Sequence, residues 1–162
     1  MHPSVNPDFA TELLAPAGFD DDKYTRGTVG FVTGSEKYPG AALLGINSAY
    51  ELGIGMVRYL GPQSVSNLVL SNRPETVLGW ERAGALVLGS GIADDDAGEQ
   101  VDNLVAAVSL GVPMVIDAGA MQLIDLDSVK TPSIITPHHA EAVRLLNKLG
   151  EDWTKDEIAN EA

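Results

Sequence analysis

The sequence predicts an α/β fold in which a doubly wound, mainly parallel sheet is flanked by helices. From residue 27 onward, short apolar runs alternate along the chain with segments of helical spacing. The runs "ALVL" (85–88), "MVI" (114–116) and "SII" (133–135) lack the polar alternation of a half-exposed strand. Such runs predict strands that are buried on both faces, as in a parallel sheet between two layers of helices.

The composition is that of one globular domain. The chain has 162 residues, of which 44% are hydrophobic, and its mean hydropathy is +0.04. No run of about 18 apolar residues could span a membrane, and residues 1–14 lack the basic and apolar regions of a secretory signal. Because the chain contains no cysteine, it has no disulfide or thiolate metal site, and we expect a cytoplasmic protein.

The net charge of −13 argues against nucleic-acid binding, which needs clustered lysine and arginine. Only ten basic residues are present, and they are spread along the chain. A ligand that carries phosphate must therefore be held by backbone N–H groups, by helix N-termini or by a metal ion.

The pattern divides the chain into an irregular N-terminal arm (1–26) and an α/β domain (27–162). Strands are predicted at 27–33, 55–61, 75–79, 84–91, 112–119 and 132–137. Helices are predicted at 40–53, 62–70, 94–111 and 140–150. The first helix should bury Ala42, Ile46, Ala49 and Tyr50, and the third should bury Val101, Leu104, Val105 and Val108.

Glycine, small polar or ionisable residues follow four of the predicted strands. They read "TGS" (33–35), "GSG" (89–91), "DAGA" (117–120) and "TPHH" (136–139). In open parallel sheets, ligands bind beyond the carboxyl ends of the strands. We therefore expect these four loops to meet at one edge of the sheet and to form a single ligand site.

The glycine-rich loops do not match the common nucleotide fingerprints. Gly34 and Ser35 are not followed by the Gly-Lys-Ser/Thr of a Walker A loop, and they could simply form a turn. Asp94 stands where a dinucleotide fingerprint needs its third glycine, although Gly89 and Gly91 could still admit a ligand backbone. The helix that starts at Gly40 should offer free N–H groups in its first turn.

The loops after the last two strands carry ionisable residues. Asp117 could cap the following helix or take part in chemistry. Thr136 and Pro137 are predicted as the N-cap and first residue of the last helix, which leaves a neutral His138 to face the crevice. A metal site is not predicted here, because adjacent histidines on a helix point in different directions.

Taken in order, four segments resemble the ADP-dependent NAD(P)H-hydrate dehydratases, a metabolite-repair family with a ribokinase-like fold. They are "GTVGFVTGSEKYPGAALL" (27–44), "ALVLGSGI" (85–92), "VIDAGAMQLI" (115–124) and "IITPHHAEAVRLL" (134–146). The resemblance implies a lyase that uses ADP or ATP, with Mg²⁺, to dehydrate (S)-NADHX and (S)-NADPHX to NADH and NADPH. AMP and phosphate are the products when ADP is the donor.

The resemblance also implies site residues. Ala41, Gly91 and His138 would contact the hydrated nucleotide, and the implied pocket neighbours are Gly34, Ser35, Gly40, Gly89 and Asp117. No catalytic or metal-binding residue is carried over to this chain.

Three departures from the family pattern stand out. Ala140 replaces a common glycine and Ser90 a common proline, and the Gly-x-Gly-Asp segment with the catalytic aspartate has no counterpart. The resemblance therefore predicts a fold that is incomplete at its C-terminus and inactive alone, and an unpaired sheet edge. We expect that edge to pair with the missing part or with a second copy. Two alternatives stay open: a small-molecule kinase for a hydroxyethylthiazole-like or sugar substrate, and a non-catalytic nucleotide-binding module.

Overall fold

Six parallel strands form one sheet in the part of the chain that the structure describes. This computed structural model describes residues 11, 16–154 and 156–158. The strand order is β3-β2-β1-β4-β5-β6, and every neighbouring pair is parallel. The strands are β1 (Thr28–Val32), β2 (Met56–Tyr59), β3 (Val77–Leu78), β4 (Ala85–Leu88), β5 (Met114–Ile116) and β6 (Ser133–Ile135).

The helices connect these strands on both faces of the sheet. They are α1 (Gly40–Glu51), α2 (Gln63–Asn72), α3 (Glu99–Val108), α4 (Ala120–Leu123) and α5 (His139–Lys148), with a 3₁₀ turn at Leu126–Ser128. All predicted strands and helices are present. The sequence analysis missed α4 and the 3₁₀ turn, because each is too short to show helical periodicity.

The start and the buried face of α3 differ from the prediction. Residues 94–98 form turns, and the Asp96 carboxylate accepts a hydrogen bond from the Gly98 N–H at 2.8 Å, so the helix begins only at Glu99. Its buried residues are Gln100, Leu104 and Ala107. The predicted stripe was therefore wrong in part, since Val105 is 55% exposed. In α1, by contrast, Ala42, Ile46 and Ala49 are buried as predicted.

Two hydrophobic clusters lie on opposite faces of the sheet. On one face, α1 and α2 pack on β1 and β2 through residues such as Ile46, Val69 and Phe31. On the other, α3 and α4 pack on β4 and β5 through residues such as Leu104, Met121 and Leu88. The doubly wound architecture is therefore confirmed.

The apolar runs predicted strands that are buried on both faces, and this prediction is wrong for β4, β5 and β6. Phe31, Val87, Val115 and Ile134 lie side by side across four neighbouring strands. Phe31 is buried, Val87 and Val115 are half-buried, and Ile134 is 63% exposed. The reason is that α1 and α2 cover only the β1–β2 side of this face.

Of the predicted N-terminal arm, the structure describes residue 11 and residues 16–26, and the rest of the arm lies outside the described residues. Residues 16–26, which are described, form exposed bends and turns, and the Arg26 guanidinium donates hydrogen bonds to the Gly53 carbonyl. The division into an arm (1–26) and a domain (27–162) stays a prediction. Among the described helices, none is both long and apolar enough to cross a membrane.

Candidate ligand site at the switch point of the sheet

The strand order reverses between β1 and β4. From β1 the chain proceeds outward to β2 and β3, then returns to the other side of β1 and continues outward through β4, β5 and β6. The loops after β1 and β4 consequently diverge and leave a crevice at the carboxyl ends of the strands. The glycine-rich loops at 33–35 and 89–91 lie at this point.

Two hydrogen bonds join these loops. The Gly34 N–H donates to the Ser90 carbonyl at 2.7 Å, and the Ser35 hydroxyl donates to the Gly91 carbonyl at 2.8 Å. The Ser35 hydroxyl also accepts the Tyr38 N–H at 3.2 Å. Ser35 is therefore engaged in holding the crevice together.

Asp117 extends this network to the remaining two loops. Its carboxylate accepts a hydrogen bond from the Ser90 hydroxyl at 2.7 Å and one from the Thr136 hydroxyl at 2.8 Å. A Cβ at Gly89 would lie 2.0 Å from the Asp117 carbonyl oxygen, so only glycine permits this close approach. Hydrogen bonds thus connect the loops after β1, β4, β5 and β6 along one edge, as the sequence analysis expected.

Gly91 lies directly against the start of α1. Its φ of +74° is in the left-handed region, and a Cβ there would lie 2.4 Å from the Ala41 Cβ. The two predicted substrate contacts, Ala41 and Gly91, are therefore immediate neighbours.

The N-terminus of α1 faces the same edge without a capping side chain among the described residues. The expectation of free N–H groups was wrong for Ala41, whose N–H donates to the Tyr38 carbonyl at 3.3 Å. Gly40 has open space where a side chain would begin. The first turn of α1 contains no acidic residue, whereas Glu99 and Asp102 lie in the first turn of α3. Since acidic residues already complement the helix dipole of α3, the N-terminus of α1 is the better site for an anion.

His138, not Thr136, is the N-cap of α5. Its Nδ1 accepts the backbone N–H groups of Ala140 and Glu141 at 3.1 and 3.3 Å, and the Glu141 carboxylate accepts the His138 N–H at 2.9 Å. The predicted cap was wrong because the Thr136 hydroxyl donates to Asp117 instead. An Nδ1 that accepts hydrogen bonds is unprotonated, so the proton of this neutral imidazole is on Nε2, which lies 3.4 Å from Glu141.

Sequence reasoning missed two buried side chains that support the crevice. The Gln100 amide donates to the carbonyls of Gly34 at 2.6 Å and Thr33 at 3.3 Å, and the Tyr59 hydroxyl donates to the Thr33 carbonyl at 3.0 Å. Burial raises the pKa of the Tyr59 phenol, which keeps this donor protonated. The signal for Gln100 was its position four residues before Leu104 on the buried stripe of α3.

Two cavities are lined in part by residues of these loops, one by Ser35 and the other by Thr33 and Ser90. One, of about 390 Å³, lies between residues 35–38 and the N-terminus of α3, and its charged residues are Glu36, Lys37, Asp96 and Glu99. The other, of about 280 Å³, is uncharged and is lined by Thr33, Ala41 and Ser90 among others. Both are close to the volume range of small-molecule sites.

Thr33 gives the smaller cavity an unsatisfied polar group. The residue is 1% exposed, and its hydroxyl has no hydrogen-bond partner among the described residues. A buried hydroxyl without a partner is unfavourable by about 1–3 kcal/mol. The hydroxyl itself is shielded from the cavity, so a ligand group could satisfy it only after the Thr33 side chain rotates.

The fold is that of a ribokinase-like α/β protein, with a crevice at the switch point of its sheet. A ribokinase-like superfamily protein of Enterococcus faecalis superposes with a TM-score of 0.75 at 18% identity, over 88% of this chain and 56% of that one. A Bacillus subtilis ADP/ATP-dependent NAD(P)H-hydrate dehydratase, co-crystallised with ATP/Mg²⁺, gives a TM-score of 0.70 at 27% identity, over 86% of this chain and 54% of that one.

The chain belongs to the NAD(P)H-hydrate dehydratase family, whose sequence profile matches residues 29–162. It is 35% identical to a bifunctional NAD(P)H-hydrate repair enzyme of Corynebacterium glutamicum, over 86% of this chain and 26% of that enzyme. It is 30% identical to the ADP-dependent (S)-NAD(P)H-hydrate dehydratase of Bacillus subtilis, over 78% of this chain and 49% of that enzyme. The chain thus spans about a quarter of the bifunctional relatives and about half of the single-activity ones.

Proposed function

We propose that this chain carries the hydrated-nucleotide side of an NAD(P)H-hydrate dehydratase, a cytoplasmic repair lyase that acts on (S)-NADHX and (S)-NADPHX. In the complete enzyme, ADP or ATP transfers its terminal phosphoryl group to the ring hydroxyl. Phosphate then leaves together with a ring proton, so that NADH or NADPH is restored. The observation that carries the proposal is the hydrogen-bonded junction of four strand ends at the switch point, in a chain of this family.

The substrate contacts are assigned to Ala41, Gly91 and His138. Contact between Ala41 and Gly91 leaves a surface without side chains beyond Cβ, over which a flat ring or a pyrophosphate can pass closely. The dipole of α1 favours an anionic group near Gly40, which matters in a chain with a net charge of −13. With Nδ1 capping α5, the Nε2–H is the remaining donor of His138, and a ligand would compete for it with the Glu141 carboxylate, which lies 3.4 Å away.

Thr33 supports a polar ligand group in the neighbouring cavity. After rotation of its side chain toward the cavity, the unpartnered Thr33 hydroxyl would hydrogen-bond to a hydroxyl or carboxamide placed beside Ala41 and Ser90. This contact offers a means of distinguishing the hydrated nicotinamide ring from an apolar group.

The donor nucleotide and its Mg²⁺ are assigned to the part of the enzyme that this chain does not span. Mg²⁺ commonly binds through substrate phosphates and only one or two carboxylates. Because the chain spans only about half of the single-activity relatives, we propose that it binds hydrated nucleotide but does not turn it over alone. Its net charge of −13 supports the separate proposal that nucleic acid is not among its partners.

Ligand-induced stabilisation tests the proposal. The thermal midpoint of the chain should rise with (S)-NADHX or (S)-NADPHX, since a ligand that binds only the folded state stabilises it, and a hydroxyethylthiazole should not raise it. The variant His138→Asn retains a good N-cap but removes the imidazole, so it should fold normally and respond less to (S)-NADHX. With ADP added, the nicotinamide absorbance should not recover.

Three results would contradict this assignment. No response to either hydrated nucleotide would remove the binding role. An equal response in His138→Asn would remove His138 from the site. Phosphorylation of the hydroxyethylthiazole would indicate the kinase alternative.

A further inference from the structure

Ser90 lines the smaller cavity at the switch point of the sheet. This cavity, of about 280 Å³, has an uncharged lining that includes Phe31, Val87 and Ser90. Its volume is just below the roughly 300–1,000 Å³ of sites that hold a whole drug-sized ligand, so it suits one ring of a nucleotide. The backbone carbonyl of Ser90 accepts the Gly34 N–H at 2.7 Å, which fixes the loop that carries the Ser90 hydroxyl.

The Ser90 hydroxyl lies on the face of the sheet that α1 covers only in part. Val87 and Val115 are paired residues on that face. Asp117 follows Val115 by two residues, and its N–H donates to the Leu88 carbonyl at 2.9 Å, so the ladder of β5 continues to this point. Alternation along the strand therefore places the Asp117 side chain on the same face as Val115. Since the Ser90 hydroxyl is 2.7 Å from the Asp117 carboxylate, it lies on this face too, beside the cavity.

The proton of the Ser90 hydroxyl is committed to Asp117. An ionised carboxylate only accepts hydrogen bonds, so the hydroxyl is the donor in this contact. The other Asp117 oxygen accepts the Thr136 hydroxyl at 2.8 Å, which fixes the orientation of the carboxylate. No described residue donates a hydrogen bond to the Ser90 hydroxyl oxygen. This oxygen therefore keeps its lone pairs for a ligand, and its bond to a charged acceptor makes it a stronger acceptor itself.

A primary carboxamide complements the polar groups of this cavity. It offers two N–H donors and a carbonyl acceptor. An N–H can meet the Ser90 oxygen, while the carbonyl can accept the Thr33 hydroxyl once that side chain has rotated. A carboxylate would instead present only acceptors to Ser90 and would lie near the charge of Asp117. An apolar group would leave both hydroxyls unsatisfied.

We propose that Ser90 is a specificity-determining residue, which accepts a hydrogen bond from the carboxamide N–H of the hydrated nicotinamide ring. Asp117 is its positioning residue, because it holds the Ser90 hydroxyl in the accepting orientation. The proposal rests on the proposed function, since it takes the ring of (S)-NADHX as the ligand of this cavity. It adds the group of the ring that the cavity distinguishes and the two residues that distinguish it.

Two ligands that differ in one group test the proposal. (S)-NADHX is compared with the corresponding hydrate of reduced 3-acetylpyridine adenine dinucleotide, in which a methyl group replaces the amide NH₂ and the carbonyl is retained. Isothermal titration calorimetry gives the Kd of each ligand for the 162-residue chain. The chain should bind (S)-NADHX about three- to tenfold more tightly than the acetyl analogue, which is the range expected for one net hydrogen bond. This comparison needs no variant.

Ser90→Ala should abolish the preference for (S)-NADHX, because both ligands then meet a methyl group. Ser48→Ala is the matched control. The Ser48 hydroxyl also lines the cavity and donates to the Leu44 carbonyl at 2.8 Å, so it too could accept from a ligand. However, Ser48 lies seven residues beyond Ala41, about 10 Å along α1, and its alanine variant should keep the preference.

The positioning role of Asp117 has a separate readout. Asp117→Asn leaves one acceptor oxygen for the hydroxyls of Ser90 and Thr136, so the proton of Ser90 is no longer fixed. The preference for (S)-NADHX should therefore shrink in this variant, and a full preference would overturn the role given to Asp117. A loss of stability alone would weaken the binding of both ligands equally and leave their ratio unchanged.

Equal affinity of the unmodified chain for the two hydrates would overturn the proposal and leave the proposed function intact. A preference that survives in Ser90→Ala, or one that is lost in Ser48→Ala, would also overturn it, because the amide would then bind elsewhere. If neither hydrate binds, the proposed function is contradicted, and this proposal with it.

Discussion

Replacing Gly91 with alanine tests whether the floor of the crevice needs glycine. The new Cβ would lie 2.4 Å from the Ala41 Cβ and 3.0 Å from the Tyr38 carbonyl oxygen, whereas carbon atoms normally pack at about 3.5–4.0 Å. This overpacking destabilises a fold by about 1–3 kcal/mol. The φ of +74° adds about 1–2 kcal/mol for a residue with a Cβ. We therefore expect Gly91→Ala to lower the free energy of unfolding by about 2–5 kcal/mol.

Gly111→Ala is the matched control for the backbone contribution. Gly111 has a φ of +64°, and a Cβ there would meet no atom within 4 Å. Its alanine variant should therefore lose only about 1–2 kcal/mol. Adding Ala41→Gly to Gly91→Ala removes the closest contact and should restore part of the loss, as a double-mutant cycle would show.

Urea unfolding followed by circular dichroism measures these differences. With an m-value of about 2 kcal/mol/M, Gly91→Ala should lower the midpoint by about 1–2.5 M. Equal losses in Gly91→Ala and Gly111→Ala, or no coupling between positions 41 and 91, would refute the close contact between Ala41 and Gly91.

Four further predictions concern side chains around the crevice. Thr33→Val should leave the stability of the ligand-free chain unchanged or raise it by up to about 1 kcal/mol, because it removes an unpartnered hydroxyl, and it should weaken stabilisation by (S)-NADHX. A destabilised Thr33→Val chain in urea would refute this. Asp117→Asn should lower the unfolding free energy by about 1–3 kcal/mol in the same assay, because the charged group that accepts hydrogen bonds from Ser90 and Thr136 is lost. If Asp117→Asn costs no more stability than Ser90→Ala, this role of Asp117 is contradicted. His138→Ala should destabilise the chain by about 1 kcal/mol while His138→Asn does not, and equal midpoints would exclude the cap. Burial raises the pKa of the Tyr59 phenol, so the unfolded chain loses this proton at a lower pH than the folded chain does. The free energy of unfolding should therefore be unaffected by this group below about pH 10. At higher pH it should fall by up to about 1.4 kcal/mol per pH unit. In urea titrations at alkaline pH, the unfolding free energy should fall less steeply with pH for Tyr59→Phe than for the half-exposed Tyr38→Phe. The same pH dependence in both variants would argue against a raised pKa at Tyr59.

Much of the fold could be predicted from local pattern, because each strand and each long helix has its own periodicity. The start of α3 could not be predicted in this way. Asp96 fits the helical pattern of the sequence, but its carboxylate accepts a hydrogen bond from the Gly98 N–H, and the helix begins only after this turn. The N-cap of α5 was missed for a similar reason: Thr136 is a good cap by type, but its hydroxyl donates to Asp117, which is 19 residues away. Long-range partners of this kind are not visible in local sequence.

The candidate site was predictable at the level of loops and not at the level of contacts. Because parallel strands end at one edge of the sheet, the sequence alone predicts that the four loops meet there. The support that Gln100 and Tyr59 give to the Thr33 carbonyl depends on tertiary packing. The exposure of Ile134 was missed because an apolar run predicts that a face is buried and does not identify the element that buries it.

The central position of β1 has a consequence for biosynthesis. β1 is the first strand to leave the ribosome among those described, yet it lies in the interior of the sheet, with β2 on one side and β4 on the other. The sheet can therefore grow outward from its middle as translation proceeds, with domains generally folding from the N-terminal side first. β6, the last of these strands to be synthesised, then adds the outer edge beyond β5.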